Sequence, residues 1–108
     1  MKILFDQGTP APLRRSLARH EVDTVFEKGW HQLTNGDVLA IAVLHRYDVL
    51  VSTDQNLRYQ QDLRQIRLGL VVLMTTSWPR IRGKTDAVAE AILTVQRGGL
   101  VEVAFLDG

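Results

Sequence analysis

The stretch from Val49 to Asn56 constrains the fold most, because an unbroken apolar run passes there directly into polar residues and a carboxylate. The run is short, rich in β-branched residues and followed by turn-forming side chains, which is typical of a strand buried on both faces. Asp54 would then stand at the end of that strand. The segment Lys2-Ile3-Leu4-Phe5 repeats the pattern, since it is an apolar strand that stops at Asp6. The sequence therefore predicts two strands that each carry an aspartate to an edge of a sheet.

Strand patterns and helix patterns alternate along the whole chain. Strands are predicted at residues 2–5, 23–26, 49–53, 69–74 and 100–105, the last at a half-exposed edge. Four helices are predicted. The first begins near Pro12, the second runs from Thr34 or Asn35 to about Tyr47, and the third runs from Leu57 to Leu63. The fourth runs from a cap at Thr85 or Asp86 to Gly98-Gly99, and residues 75–79 before it are predicted as a loop. This alternation predicts an α/β fold, with a mostly parallel sheet of about five strands and helices on both faces.

Composition indicates an ordinary globular protein. The 108 residues suffice for a single domain, residues 1–108. With a formal net charge of +1, the chain as a whole is not basic, so any binding of nucleic acid would need a local basic patch. The chain has no cysteine, which excludes disulfides and thiolate chemistry. No apolar segment approaches the roughly 18 residues of a membrane span, and the chain enters a strand without a signal-like region. We therefore expect a cytoplasmic protein with no membrane partner.

Three aspartates could meet at one edge of this sheet. If the strand order is 2-1-3-4-5, Asp6 and Asp54 project from adjacent strand ends, and Asp37 opens a helix that starts on the same side. Crowded carboxylates repel one another, and a hard divalent cation, Mg²⁺ or Mn²⁺, is the usual way to keep such a cluster ionised. Such a site suits phosphodiester hydrolysis. The alternative, equally compatible with the spacing, is that these aspartates only cap helices and form turns.

Basic and aromatic residues follow the acidic ends. Candidate contacts to an RNA substrate are Arg58, Arg80, Arg82 and Lys84, with Trp78 or Tyr59 able to stack on an unpaired base. Exposed arginines are common, so a solvated loop with a packed tryptophan is the more ordinary interpretation of the same residues.

The segments 3–6, 37–42 and 49–57 together resemble the PIN-like family, and in particular short, largely uncharacterised bacterial PIN-like proteins related to VapC-type toxins. The resemblance covers nearly the whole chain, and Ser52 to Leu57 is its most specific part. It implies a Rossmann-like sheet and an Mg²⁺- or Mn²⁺-dependent ribonuclease, often a toxin neutralised by an antitoxin protein. The implied metal ligands are Asp6, Asp37 and Asp54, and the implied further site residues are Ser52 and Asn56.

The chain also departs from that family pattern. Asn56 stands where the family has a second acid, and no helical acid aligns before Asp37, although Glu21 and Glu27 lie in the interval. A neutral amide can ligate a metal but carries one negative charge fewer. The second hypothesis is therefore a degenerate PIN-like module that binds an antitoxin or RNA without turnover, and a third, weaker one is a receiver-like signalling domain. Apolar surfaces could also support a homodimer.

Overall fold

The computed structural model describes residues 1–59 and 63–105, and in these residues five parallel strands form a sheet of order β2-β1-β3-β4-β5. The strands are β1 (Lys2–Phe5), β2 (Glu21–Thr24), β3 (Val49–Ser52), β4 (Gly69–Leu73) and β5 (Leu100–Val103). The predicted α/β class and mostly parallel sheet are confirmed, and the strand order is the one on which the convergence of Asp6 and Asp54 was conditional. β3 and β4 are buried throughout, as expected for central strands of a parallel sheet.

The second strand lies two residues earlier than predicted, and a local turn explains its end. The Glu27 carboxylate accepts the Thr24 backbone N–H at 3.0 Å, and the Thr24 hydroxyl accepts the Glu27 N–H at 3.1 Å. This reciprocal pair closes the chain after Thr24, so that Phe26, predicted inside the strand, is 70% exposed. Side-chain capping of this kind competes with strand pairing.

Three α-helices connect the strands, together with several 3₁₀ turns. In the described residues they are α1 (Asn35–Leu44), α2 (Trp78–Ile81) and α3 (Thr85–Thr94), and the 3₁₀ turns are Ala11–Leu17, Gln55–Tyr59, Leu63–Gln65 and Arg82–Lys84. None of these helices has the length and apolar character that crossing a membrane requires. The predicted helix from Leu57 to Leu63 includes residues 60–62, which lie outside the described part of the chain.

Several helix boundaries differ from the prediction. The segment after Pro10 is 3₁₀ rather than α-helical, and the predicted loop 75–79 gives way to α2, with Pro79 in its first turn. α1 ends three residues early because Arg46 adopts a left-handed φ of 62°. Thr85 and Asp86 lie inside the first turn of α3, and Lys84 is the capping position instead.

Apolar layers cover both faces of the sheet. On one face, Leu13, Leu17, Ile81 and the buried side of α3 pack on odd-numbered side chains of β1 and β3. On the other, α1 packs on even-numbered side chains through Val38, Leu39 and Ala42. Alternation along each strand produces this division. The two layers leave the strand ends, rather than the sheet faces, available for polar sites.

Asp48 links several elements at the amino-terminal edge of the sheet. Its carboxylate accepts the Lys2 backbone N–H at 2.8 Å and the Arg97 guanidinium at 3.0 Å. The Lys2 hydrogen bond, and then Arg97, hold the pKa of Asp48 below its usual value of 3.8, although partial burial opposes them. The folded state therefore favours the ionised form more than the unfolded state does.

We expect Asp48 to contribute to the acid sensitivity of folding. Because its folded pKa is lowered, its contribution is full above the unfolded pKa near 3.8 and is lost as the pH falls through the folded pKa. Asp48→Asn should lower the free energy of unfolding at pH 7 by about 1 kcal/mol and flatten its decline below about pH 5. Urea unfolding from pH 7 to pH 3 measures both effects, with Asp86→Asn on the exposed side of α3 as the charge-matched control. An unchanged pH profile in Asp48→Asn would show that other groups govern acid unfolding.

Candidate acidic site at the ends of β1 and β3

The carboxyl ends of β1 and β3 lie side by side where the chain reverses its winding direction. From β1 the chain passes to β2 on one side, and β3 is then added on the other side of β1. Open parallel sheets bind ligands in the crevice outside the carboxyl ends of strands at such a reversal. Asp6 follows β1 directly, and its backbone N–H donates to the Val51 carbonyl at 2.9 Å. Asp6 is therefore anchored against the last residues of β3.

Ser52 joins the two predicted acidic residues. Its hydroxyl is fully buried, donates to Asp6 Oδ2 at 2.8 Å and accepts the Asp54 backbone N–H at 3.0 Å. The hydroxyl can make both bonds because it is at once a donor and an acceptor. Ser52 thus fixes the Asp6 carboxylate and the turn that carries Asp54.

The loop after β1 is held against the loop after β3. The Thr9 hydroxyl, on a buried side chain, donates to the Val51 carbonyl at 2.8 Å. Gly8 lies so close to Thr53 that a Cβ at position 8 would stand 2.2 Å from the threonine hydroxyl. The sequence Gln7-Gly8-Thr9 therefore packs as a unit on the end of β3, which restricts the position of Asp6.

Asp54 is bonded through both of its carboxylate oxygens. Oδ1 accepts the Asn56 backbone N–H at 2.9 Å, and Oδ2 accepts the side-chain amide of Asn35. The first bond forms an Asx turn that starts the 3₁₀ segment after β3. Asn35 is the first residue of α1, next to its N-cap Thr34.

Asn35 also belongs to the site, although the sequence indicates it only as a candidate helix cap. Helix α1 follows β2, so its first turn lies at the carboxyl-end side of the sheet, and this places Asn35 against Asp54. The sequence feature that could have indicated Asn35 is its side-chain amide at the start of a helix that begins on the same side of the sheet as the winding reversal. The amide oxygen of Asn35 would be a further neutral oxygen donor at the site.

Asp37 is not brought into one group with the other two aspartates. Its side chain is exposed, and its backbone N–H donates to the Thr34 hydroxyl at 3.3 Å in a helix cap. Across residues 1–59 and 63–105, no three histidine or acidic side chains form a group that could hold a metal ion. The structure therefore links Asp6, Ser52 and Asp54 by hydrogen bonds and leaves Asp37 outside that group.

Two carboxylates could still serve a hard divalent cation that takes few of its ligands from the protein. Asp6 and Asp54 supply carboxylate oxygens, and Mg²⁺ is usually held by one or two carboxylates while water and substrate phosphate complete its shell. Glu27 does not add to this set, because it is paired with Arg14, and that ion pair lowers its pKa. Glu21 is the first residue of β2 and so lies at the amino-terminal ends of the strands, opposite the acidic site.

The predicted substrate-contact residues occupy two places. Arg58 forms an ion pair with Glu102 of the edge strand β5, with 3.4 Å between Nη1 and Oε2. Arg80, Arg82 and Lys84 are exposed on α2 and the following 3₁₀ turn, which leave from the carboxyl end of β4. Trp78 packs partly into the core, whereas Tyr59 is 76% exposed beside the Arg58 guanidinium.

Removing the Ser52 hydroxyl should loosen this site. In Ser52→Ala the Asp54 N–H loses its acceptor and the Asp6 carboxylate loses a donor, so we expect unfolding free energy to fall by about 1–2 kcal/mol. Urea denaturation measures this loss, and Ser16→Ala, at an exposed serine, is the matched control. Equal stabilities of the two variants would contradict the bridging role of Ser52.

The fold and this site together define an α/β protein with an acidic pair at the winding reversal of a parallel sheet. In comparisons with known proteins, no family model, no curated protein and no solved structure matches the chain.

Proposed function

We propose that the protein is a PIN-like ribonuclease that hydrolyses RNA phosphodiester bonds with Mg²⁺ or Mn²⁺ held by Asp6 and Asp54. The observation that supports this most is the pair of aspartates at neighbouring strand ends, tied to one buried hydroxyl. The sequence resemblance assigns roles to the same residues. In a toxin context, a cognate antitoxin protein would be the natural regulator.

Each residue of the site has a distinct task in this proposal. The cation, when bound, would lower the pKa of a water molecule and stabilise the charge that develops on phosphorus. Ser52 holds the Asp6 carboxylate in place, so that its orientation does not depend on the substrate. Asn35 and the Asn56 backbone N–H orient the Asp54 carboxylate from two sides. Asp37, exposed at the first turn of α1, would act on solvent or substrate near the site rather than as a third fixed ligand.

Substrate binding would use the exposed basic residues on the same side of the sheet. Arg80, Arg82 and Lys84 follow β4, and their side chains can contact backbone phosphates. Arg58 would have to exchange Glu102 for a phosphate, although it lies beside the exposed ring of Tyr59, which can stack on a base. Trp78 is a weaker candidate for stacking because it is partly buried against the core.

A second candidate function is binding without turnover. It is favoured by the absence of a three-acid group in the described residues and by Asn56 in place of an acid. With fewer charges the affinity for a cation falls, and the crevice could then serve only to recognise RNA or an antitoxin.

Calorimetric titration separates the two candidates. Mn²⁺ is titrated into the protein alone and into its mixture with an RNA oligonucleotide whose linkages are methylenephosphonates, in which a P–C bond that water does not break replaces the P–O bond to the leaving group. The ribonuclease proposal expects Mn²⁺ binding that strengthens with the oligonucleotide present, and Mn²⁺-dependent cleavage of the unmodified RNA. RNA binding without any Mn²⁺ binding would favour the second candidate, and binding of neither would overturn both.

A further inference from the structure

Three arginines converge at the edge of the sheet opposite the acidic site. Arg46, Arg67 and Arg97 line a cavity of about 460 Å³, together with Val43 and Tyr47. They come from three separate connections: the end of α1, the segment before β4 and the segment between α3 and β5. Guanidinium groups repel one another, so their convergence in one cavity calls for an anion.

Among the described residues, two carboxylates are bonded at this edge, and neither is paired with Arg46 or Arg67. Asp23 accepts the hydroxyl of Tyr47 at 2.6 Å. Arg97 is paired with Asp48, whose other oxygen is taken by the Lys2 backbone N–H. Within residues 1–59 and 63–105, Arg46 and Arg67 have no ion-pair partner. Two exposed arginines of the cavity lining therefore carry a positive charge that no ion pair within the described residues balances.

Arg46 has a backbone conformation that is unusual for an arginine. Arg46 has φ 62°, in the left-handed region, just after the last turn of α1. Glycine is the usual residue at such a position because a Cβ is disfavoured there. The chain carries an arginine instead, so a positively charged residue of the cavity lining is kept at this position against a conformational penalty.

We propose that this cavity binds a phosphate monoester. Guanidinium forks match the oxygens of a phosphate in paired hydrogen bonds, and a dianion would balance the two unpaired charges. The volume exceeds that of a phosphate ion and leaves room for part of the esterified group. A free nucleotide and the 5′-phosphate of an RNA share this chemistry. The site is separate from the acidic crevice, since the two lie at opposite ends of the strands.

Titrations with inorganic phosphate, adenosine 5′-monophosphate and a short RNA with or without a 5′-phosphate test the proposal. We expect saturable binding that Arg67→Gln and Arg46→Gly each weaken more than about tenfold, with Arg15→Gln, at an exposed arginine elsewhere, unchanged. Arg46→Gly should also raise Tm by roughly 2–5 °C, which keeps a folding defect from explaining its loss of binding.

The pattern of binding identifies the source of the phosphate. Tighter binding of the nucleotide than of the phosphorylated RNA would assign a small-molecule ligand, and the reverse would assign an RNA end. Equal binding of RNA with and without the 5′-phosphate combined with no binding of adenosine 5′-monophosphate, or no saturable binding of any probe, would overturn the proposal. So would binding that Arg67→Gln leaves intact.

Discussion

Asp54→Asn should reduce Mn²⁺-dependent RNA cleavage more than about 100-fold and abolish Mn²⁺ binding. The substitution keeps the size of the side chain and one acceptor oxygen, but removes the negative charge at the centre of the site. Asn35 and the Asn56 backbone N–H bond to this side chain and fix its carboxylate at the end of β3, next to the strand that carries Asp6. Cleavage rates on a defined oligonucleotide and calorimetric Mn²⁺ titration measure the two losses.

Asp37→Asn is the matched control for that experiment. Asp37 is exposed and stands outside any three-acid group in the described residues, so its substitution should lower cleavage less than about tenfold. A loss as large as that of Asp54→Asn would mean that three carboxylates act together in the bound state, as the family resemblance implies. Undiminished cleavage by Asp54→Asn would instead point to a contaminating nuclease and remove the assignment.

Gly98→Ala should be the most destabilising of the proposed substitutions, by about 2–4 kcal/mol. Gly98 has φ +81°, and a Cβ there would stand 2.8 Å from the Arg64 carbonyl oxygen. Its own N–H donates to the Leu68 carbonyl at 3.1 Å, which holds the turn in place against β4. Backbone rather than a flexible side chain is in the way, so the clash cannot be relieved by a change of rotamer. Urea denaturation at pH 7 measures the loss.

Two other glycines separate the causes of that loss. Gly29 has φ +77° but open space around a Cβ, so Gly29→Ala should show the conformational penalty alone, about 1 kcal/mol. Gly83 has open space and no positive φ, so Gly83→Ala should be neutral or stabilising by up to about 1 kcal/mol. If Gly98→Ala costs no more than Gly29→Ala, the close approach to Arg64 is unimportant.

The sheet was predictable because its signals are strong and local. Val49 to Ser52 and Gly69 to Leu73 are continuous apolar runs, and burial on both faces leaves few other structures for them. The boundaries were less predictable where single polar contacts decide them. Glu27 ends β2 by bonding to Thr24, and the left-handed Arg46 ends α1 early. Neither feature changes the spacing of apolar residues along the sequence, from which strands and helices are inferred.

The candidate site was predictable in part for the same reason. Asp6 and Asp54 follow strands that topology makes neighbours, so a prediction of strand order already places them together. The position of Asp37 depends on how a helix starts: its backbone N–H bonds to the Thr34 cap, and its side chain is exposed. Asn35 and the ion pair of Arg58 with Glu102 depend on contacts between residues distant in sequence, which no local pattern reveals.

Paramagnetic broadening by Mn²⁺ tests the acidic site most directly. In ¹⁵N-labelled protein titrated with small amounts of Mn²⁺, we expect the amide signals of Asp6, Gln7, Asp54 and Asn56 to broaden first, and Asp54→Asn to remove the effect. Mg²⁺ in excess should restore the signals by competition. Broadening confined to other acidic positions, such as Asp86 on α3, or none at all, would contradict a cation site at the ends of β1 and β3.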